Sequence, residues 1–217
     1  MFYPRRCAIS ADVVTYADTW QSETESQVSA RQRSAELPSK TPSPTAVATL
    51  TVVVAATSAK AVVEVGTGSG LTGLSIIEGM ASKGVLTTID ADGSHQSTAK
   101  DVFSKAGIDH GHVRLINGEP EQVLPRLADG AYDAVILNQL DGSPEEFVTQ
   151  ALRLLRIGGA LVISGFLGAD ALILDPAARD EHANALRALS EAVRTNEELV
   201  NVLLPMSDGL LIAIKRS

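Results

Sequence analysis

The chain has 217 residues, with 18 Lys and Arg against 26 Asp and Glu and a formal net charge of −8. That length can bury a full core in one domain, whereas the acidic balance denies it the basic footprint of a nucleic-acid or anionic-membrane binder. Aromatic residues at 4% are too few for a base-stacking platform, and the single cysteine, Cys7, excludes an intrachain disulfide framework and a cysteine-based zinc site.

Residues 1–6 are not followed by an apolar run and a cleavage pattern, so the expected setting is cytoplasmic and reducing. Val13, Val14, Ala17 and Trp20 recur at helical spacing behind a Ser10 cap. The polar stretch 21–36 is expected to continue as surface helix. Ser43-Pro44 opens a further helix running to Ala59, with serine as the cap and proline in the first turn. No charge falls between Lys40 and Lys60, but Pro42 and Pro44 leave about 15 helical residues, short of the ~20 that span a bilayer. A buried helix is expected there, and no membrane partner.

From Ala61 the pattern alternates. Strands are expected at 61–65, 85–90, 113–117, 132–138 and 160–164. Between them lie helices at 69–81, around Ala99–Ala106, at 121–127, and behind a Ser143–Glu146 capping box before Phe147. This is the order of a doubly wound, mostly parallel α/β sheet. The tail differs: a helix with Leu186, Leu189 and Val193 leads to strand 199–204, a Ser207-Asp208-Gly209 turn and strand 210–215. So tight a connection makes the last pair antiparallel. The division expected is one domain, with 1–45 as a helical extension and 46–217 as the core.

Chemistry concentrates in Glu64-Val-Gly66-Thr67-Gly68-Ser-Gly70, between a strand and a helix. Glycines there admit a ligand close to the backbone, and the helix N-terminus behind them favours an anionic group. Asp90 ends the next strand, where a carboxylate can accept from both hydroxyls of a ribose. The plainer reading is an αβ turn whose glycines permit close packing. The nicotinamide-dinucleotide fingerprint fits poorly: counted from Gly66 its third glycine is Leu71, and counted from Gly68 it starts two residues late. Glu64, an acid beside the glycines, suits a cationic ligand such as S-adenosylmethionine.

These residues, with Thr72 and Thr88-Ile-Asp90, resemble the cofactor motifs of class I S-adenosylmethionine-dependent methyltransferases. Asn117–Pro125, Tyr132-Asp133, Leu152–Gly159 and Leu203–Leu210 resemble the small O-methyltransferase branch related to catechol and caffeoyl-coenzyme A O-methyltransferases. The resemblance implies a Rossmann-like seven-stranded sheet with its last strand antiparallel, a small-molecule acceptor and a homodimer. It places Asp90 on the ribose hydroxyls, Gly66, Thr67, Gly68, Gly70, Thr72 and Asn138 around the cofactor, Glu64 below its amino group, and Glu119 and Pro120 at the adenine. Glu121 either joins the adenine site or is a first-turn acid favoured by the helix dipole.

Departures from that branch concern catalysis. Where relatives offer a backbone donor to the cofactor carboxylate this chain has Pro42, which lacks an N–H; Ser43 either replaces it or, as preferred here, caps its helix. Relatives that use a metal carry an aspartate after strand four and Asp-Asn after strand five, where this chain has Asn138 and Ser164-Gly165. A neutral amide and a hydroxyl suit a hard divalent cation poorly, so no catalytic metal is expected. Asp141 takes the place of the relatives' lysine and is the candidate base, the alternative being a solvated loop acid. His95 and His182 are expected on helix surfaces, and Asp133 as structural. Loop 165–175 is read as lining the acceptor pocket or a dimer contact, and Trp20 as joining it or packing in the core. A P-loop lysine, HExxH and G-x-S-x-G are absent. Three readings follow: a metal-independent methyltransferase, a cofactor-binding protein that has lost catalysis, and an NAD-dependent oxidoreductase.

Overall fold

A computed structural model of the chain describes residues 10–37, 41–138, 140 and 143–217. Its centre is a seven-stranded sheet built from β1 (Ala61–Val65), β2 (Val85–Asp90), β3 (Val113–Asn117), β4 (Tyr132–Leu137), β5 (Leu155–Ser164), β6 (Leu199–Leu204) and β7 (Leu210–Lys215), in the order β3-β2-β1-β4-β5-β7-β6. The β1 strand pairs in parallel with β2 on one side and β4 on the other. That reversal of winding direction opens a crevice at the carboxyl ends of the strands, the usual ligand position in such sheets. The β7 strand runs antiparallel to both β5 and β6, as the tight Ser207–Gly209 turn requires.

The central strands β1, β2 and β4 and the second half of β5 are short apolar runs buried on both faces, as helices on both sides of a parallel sheet demand, whereas β3 and β6 at the sheet edges are more exposed. One face carries Val62, Leu86, Ile136 and Val162 against Leu50 and Val54 of α3 (Pro44–Ala56) and Ile76 of α4 (Leu71–Gly79). The other carries Val63, Val135, Leu161 and Ile163 against Phe147, Ala151 and Leu154 of α7 (Pro144–Leu154) and Leu186, Leu189 and Val193 of α8 (Glu181–Thr195). A third cluster joins Leu71 and Leu74 of α4 to Ala99, Val102 and Phe103 of α5 (Gly93–Lys105). No helix among the described residues is long and apolar enough to cross a membrane.

Several sequence expectations are corrected at the local level. Residues 21–36 do not continue the first helix. That helix, α1, spans Ala11–Asp18 behind its Ser10 cap, and a separate α2 (Glu25–Ser34) starts at a Thr24–Gln27 capping box. Nor is α2 a surface helix: Gln27, Ala30 and Ser34 are buried, and Ala30 packs with Leu71 and Phe103. Trp20 is 71% exposed and rests on Tyr16, its ring centroid 5.9 Å away, so it joins neither core nor loop. Ser143 makes no side-chain cap: its φ of −109° and ψ of 82° turn the hydroxyl from the first-turn amides, and Pro144 starts α7 instead. The fifth strand begins at Leu155, which pairs with Tyr132, and its register against β4 shifts between Tyr132 and Ala134. Asp133 is structural as expected. Burial pushes its carboxyl up, but hydrogen bonds from Lys60 N at 2.7 Å, Arg156 Nε at 2.7 Å and Ala61 N at 2.9 Å outweigh it and hold it below the usual range.

Candidate functional site

The crevice at the carboxyl ends of the strands holds a cavity of about 810 Å³, lined by residues from the glycine loop, the ends of β2, β4 and β5, and helices α2 and α8. It lies in the upper part of the range for small-molecule sites, ~300–1,000 Å³. Gly66, Thr67 and Gly68 form one wall. Gly66 N is bonded to Ile89 O at 2.8 Å and Gly68 N to Asp90 Oδ2 at 3.1 Å, which ties the loop to β2. Gly70 is not among the lining residues. It is the N-cap of α4 at a φ of +84°, and a Cβ there would stand 3.2 Å from Ala99 Cα, so its place is the close crossing of α4 and α5. Because no side chain caps α4, its first-turn N–H groups are unmet by side chains. Ser69, beside them, lines the cavity with a buried hydroxyl that has no hydrogen-bond partner among the described residues.

Glu64 lies beneath the loop, wholly buried, and its carboxylate gathers three donors. Thr72 Oγ1 donates to Oε1, Thr88 Oγ1 to Oε2 at 2.7 Å, and Asn138 Nδ2 to Oε1 at 3.0 Å. Burial raises its pKa to about 7; the three hydrogen bonds pull it down, and the charge of Asp90 adds to the rise. The Thr72 hydroxyl, expected around the cofactor, is therefore turned to Glu64, although the residue lines the cavity. Gln96 Nε2 donates to Thr67 Oγ1 at 2.9 Å, and Thr67 and Thr88 hydroxyls meet at 2.7 Å, so the network reaches α5.

Asp90 ends β2 and faces the cavity. Its Oδ2 receives Gly68 N and lies 3.1 Å from His95 Nδ1, and its Oδ1 receives Asp92 N at 3.0 Å. His95 lines the cavity as well, which corrects its expected place on an outer surface. Glu119 and Pro120 do not line the cavity; they follow β3 and start the short helix α6 (Pro120–Val123), close to Asp90 through a bond from Gly118 N to Asp90 O at 3.0 Å.

Pro42 and Ser43 lie on the rim. The Ser43 hydroxyl accepts from Ala46 N at 3.2 Å and caps α3, as preferred from sequence, while its N–H donates to Ser207 Oγ at 2.8 Å. Arg31 of α2 donates to Pro42 O and forms an ion pair with Glu23 at 2.6 Å. With Ser34 and Leu37 it brings the N-terminal segment into the wall, a contribution that no motif announced.

At the other end the wall consists of Leu140, Ser164, Gly165, Gly168 and Ala169, with His182 and Leu186 of α8. His182 was expected on a surface; it too lines the cavity. The loop after β5 splits: Gly165, Gly168 and Ala169 face the cavity, Phe166 is buried, and Leu174 is exposed. Asp141 lies outside the described residues. Asn138 Oδ1 accepts from Ser164 Oγ at 3.0 Å, while Nδ2 faces Glu64, Gly66 O and Thr72. The two groups at the metal position thus answer each other, and this neutral donor set does not fit a hard divalent cation.

Known proteins share this fold. The family model described as O-methyltransferase matches residues 21–216. A protein named “Putative O-methyltransferase” from Mycolicibacterium vanbaalenii is 41% identical over 204 residues, covering 94% of this chain and 89% of that one. A crystal structure of a Corynebacterium glutamicum protein superposes with a TM-score of 0.87 at 30% identity, covering 95% and 96% of the two chains. TomG, an O-methyltransferase of Streptomyces achromogenes solved in complex with SAM, has the same fold, with a TM-score of 0.82 at 22% identity over 94% and 95%. Matched by that family model over residues 21–216 and 41% identical to such a relative over 94% of its length, the chain belongs to the O-methyltransferase family.

Proposed function

We propose that the chain transfers the methyl group of S-adenosylmethionine to a hydroxyl of a small acceptor, without a catalytic metal. The observation that carries the metal-free part is the Asn138–Ser164 pair, two neutral groups hydrogen-bonded to each other at the ends of β4 and β5. S-adenosylmethionine supplies an electrophilic methyl on a sulfonium, so the protein's part is alignment, exclusion of water and removal of a proton. Asp90 would accept from the ribose hydroxyls, its outer lone pairs directed to the cavity while Gly68 N and Asp92 N hold the carboxylate in place. Gly66, Thr67 and Gly68 would bring backbone to the methionyl part, with Ser69 Oγ free to donate. Pro42 and Ser43 would close the rim, and Glu64 would set the field below.

The same reading includes a cytoplasmic setting and a homodimer. The dimer is supported by the exposed Val13, Val14, Tyr16 and Trp20 of the α1 region, and light scattering of the purified chain tests it. The neutral pair also favours a second reading, a cofactor-binding protein without turnover.

Calorimetric titration with S-adenosylmethionine, S-adenosylhomocysteine and NAD, with and without Mg²⁺, tests the cofactor. Binding of the first two, indifferent to Mg²⁺ and lost in Asp90→Ala, is expected, and binding of NAD alone would replace this reading with the oxidoreductase one. Methyl transfer to a panel of phenols then separates an enzyme from a binding protein.

A further inference from the structure

Methylation of a neutral hydroxyl without a metal leaves the proton to a side chain, and the cavity offers few. Asp90 and His95 hold each other at the end of β2, two strands away from β4 and its neighbour β5. Glu64 is sealed under the loop with both oxygens engaged. Arg31 is paired with Glu23, and Asp208 has an interaction of its own. His182 differs from all of these: it lines the cavity, and among the described residues its ring nitrogens have no hydrogen-bond partner.

Its placement is fixed by packing. Ala183, Leu186, Leu189 and Val193 anchor α8 in the core, and Asp180 caps it through Ala183 N at 2.9 Å. Leu186 lies one turn after His182 on the same helix face, since residues four apart are neighbours. That face meets the turn after β5: a Cβ built on Gly168 would stand 3.0 Å from Leu186 Cδ1. The first turn of α8 therefore shares a cavity wall with Ser164, Gly165 and Gly168, in the same cavity as the β1 loop where the methyl donor would lie. An imidazole is also the side chain whose ordinary titration lies nearest neutrality, as a general base for a phenolic hydroxyl requires. The Asp180 carboxylate, two residues away, is held below the usual range by its bond from Ala183 N, with the charge of His182 contributing, and it would offset the imidazolium formed.

We propose that His182 is the general base of the transfer, in place of the loop acid Asp141; this rests on the methyltransferase reading above. The acceptor O–H proton passes to a ring nitrogen of His182, and the acceptor oxygen forms a bond to the methyl carbon. The carbon–sulfur bond breaks with its electron pair left on sulfur, and the imidazolium returns its proton to solvent.

The test compares the wild-type chain, His182→Ala, His182→Gln and Asp141→Asn on catechol and on 4-nitrocatechol at about pH 8, where the nitro group leaves the acidic hydroxyl mostly ionised. Both His182 variants are expected to lose ~100-fold or more in kcat on catechol and only a few-fold on 4-nitrocatechol. Their affinity for S-adenosylhomocysteine should stay within about two-fold of wild type, and added imidazole should restore His182→Ala. Undiminished turnover of catechol, equal losses on both acceptors, or a loss confined to Asp141→Asn each overturns the assignment. A wild-type chain that binds S-adenosylhomocysteine and methylates neither phenol overturns instead the reading on which it rests.

Discussion

Asn138 Nδ2 lies 3.0 Å from Glu64 Oε1 and 3.1 Å from the carbonyl of Gly66, two acceptors that only a donor can face. Its other atom, Oδ1, takes the proton of Ser164. The amide is therefore fixed in orientation, and it joins β1, β4 and β5 at the floor of the cavity. Restoring the carboxylate that metal-using relatives carry here would place two acids side by side. Asn138→Asp is expected to destabilise the chain by about 3 kcal/mol or more above neutrality, and less in mild acid where one carboxyl takes up a proton. Urea denaturation at two pH values checks this.

The buried Glu64 makes a second pH signature. Its folded value of about 7 exceeds the ordinary 4.5, so between those values the native state keeps a proton that the unfolded chain has released. Stability should thus fall as pH rises across that window, by about 3 kcal/mol in all, and level off above it. Glu64→Gln should flatten the curve. Its amide nitrogen can occupy the place of Oε2 because Thr88 can then accept and donate onward to Thr67, a bond in which either hydroxyl can be the donor. Denaturation midpoints of both proteins across the window measure the difference.

Asp90→Asn can keep an oxygen for Gly68 N only by turning its amide nitrogen to the Asp92 N–H, and it removes the charge that would meet the ribose. The expected cost in S-adenosylhomocysteine affinity is about 10- to 100-fold, the worth of charge-assisted hydrogen bonds. Calorimetry reads it, and a near-normal melting temperature would show that the fold is retained.

Gly70→Ala should be costly without any change in surface chemistry. The new Cβ would sit 3.2 Å from Ala99 Cα at a φ of +84°, both too close and in a conformation that L residues avoid. A loss of about 2–3 kcal/mol is expected by chemical denaturation.

Chelation tests the metal-free proposal directly. EDTA should leave the methylation rate unchanged and Mg²⁺ should not stimulate it, since the donors at the ends of β4 and β5 are an amide and a hydroxyl already paired. A rate that depends on Mg²⁺ would show otherwise.

Five strands were legible to the residue because short β-branched runs between turn signals have little freedom to be anything else. The fifth reads short in sequence because Gly158-Gly159 looks like a break, whereas the strand runs through both glycines from Leu155 to Ser164. The histidines were misplaced for a different reason. Seen along a sequence, a helix residue is simply a surface candidate. In a parallel sheet, however, the helix that follows a strand begins at that strand's carboxyl end, where ligands bind. His95 and His182 both sit in first turns, of α5 and α8, and that position was the available signal. The contribution of Arg31 was not legible at all, since it depends on α2 folding back across α4 and α5.

The position of β7 in the sheet bears on assembly. It is the last strand in chain order, yet it lies between β5 and β6, and among the described residues β6 has no other strand beside it. Everything before residue 210 can complete five strands at most, leaving the β5 edge open and the 199–204 segment without a partner. During synthesis from the N-terminus, the wall that carries α8 is thus the last to be locked. Lys215 finishes the lock, its ammonium donating to the Leu152 and Leu155 carbonyls across the gap. Such late, long-range pairing slows folding and exposes strand edges to other chains. The segment after Gly209 therefore governs whether a newly made chain closes upon itself or sticks to its neighbours.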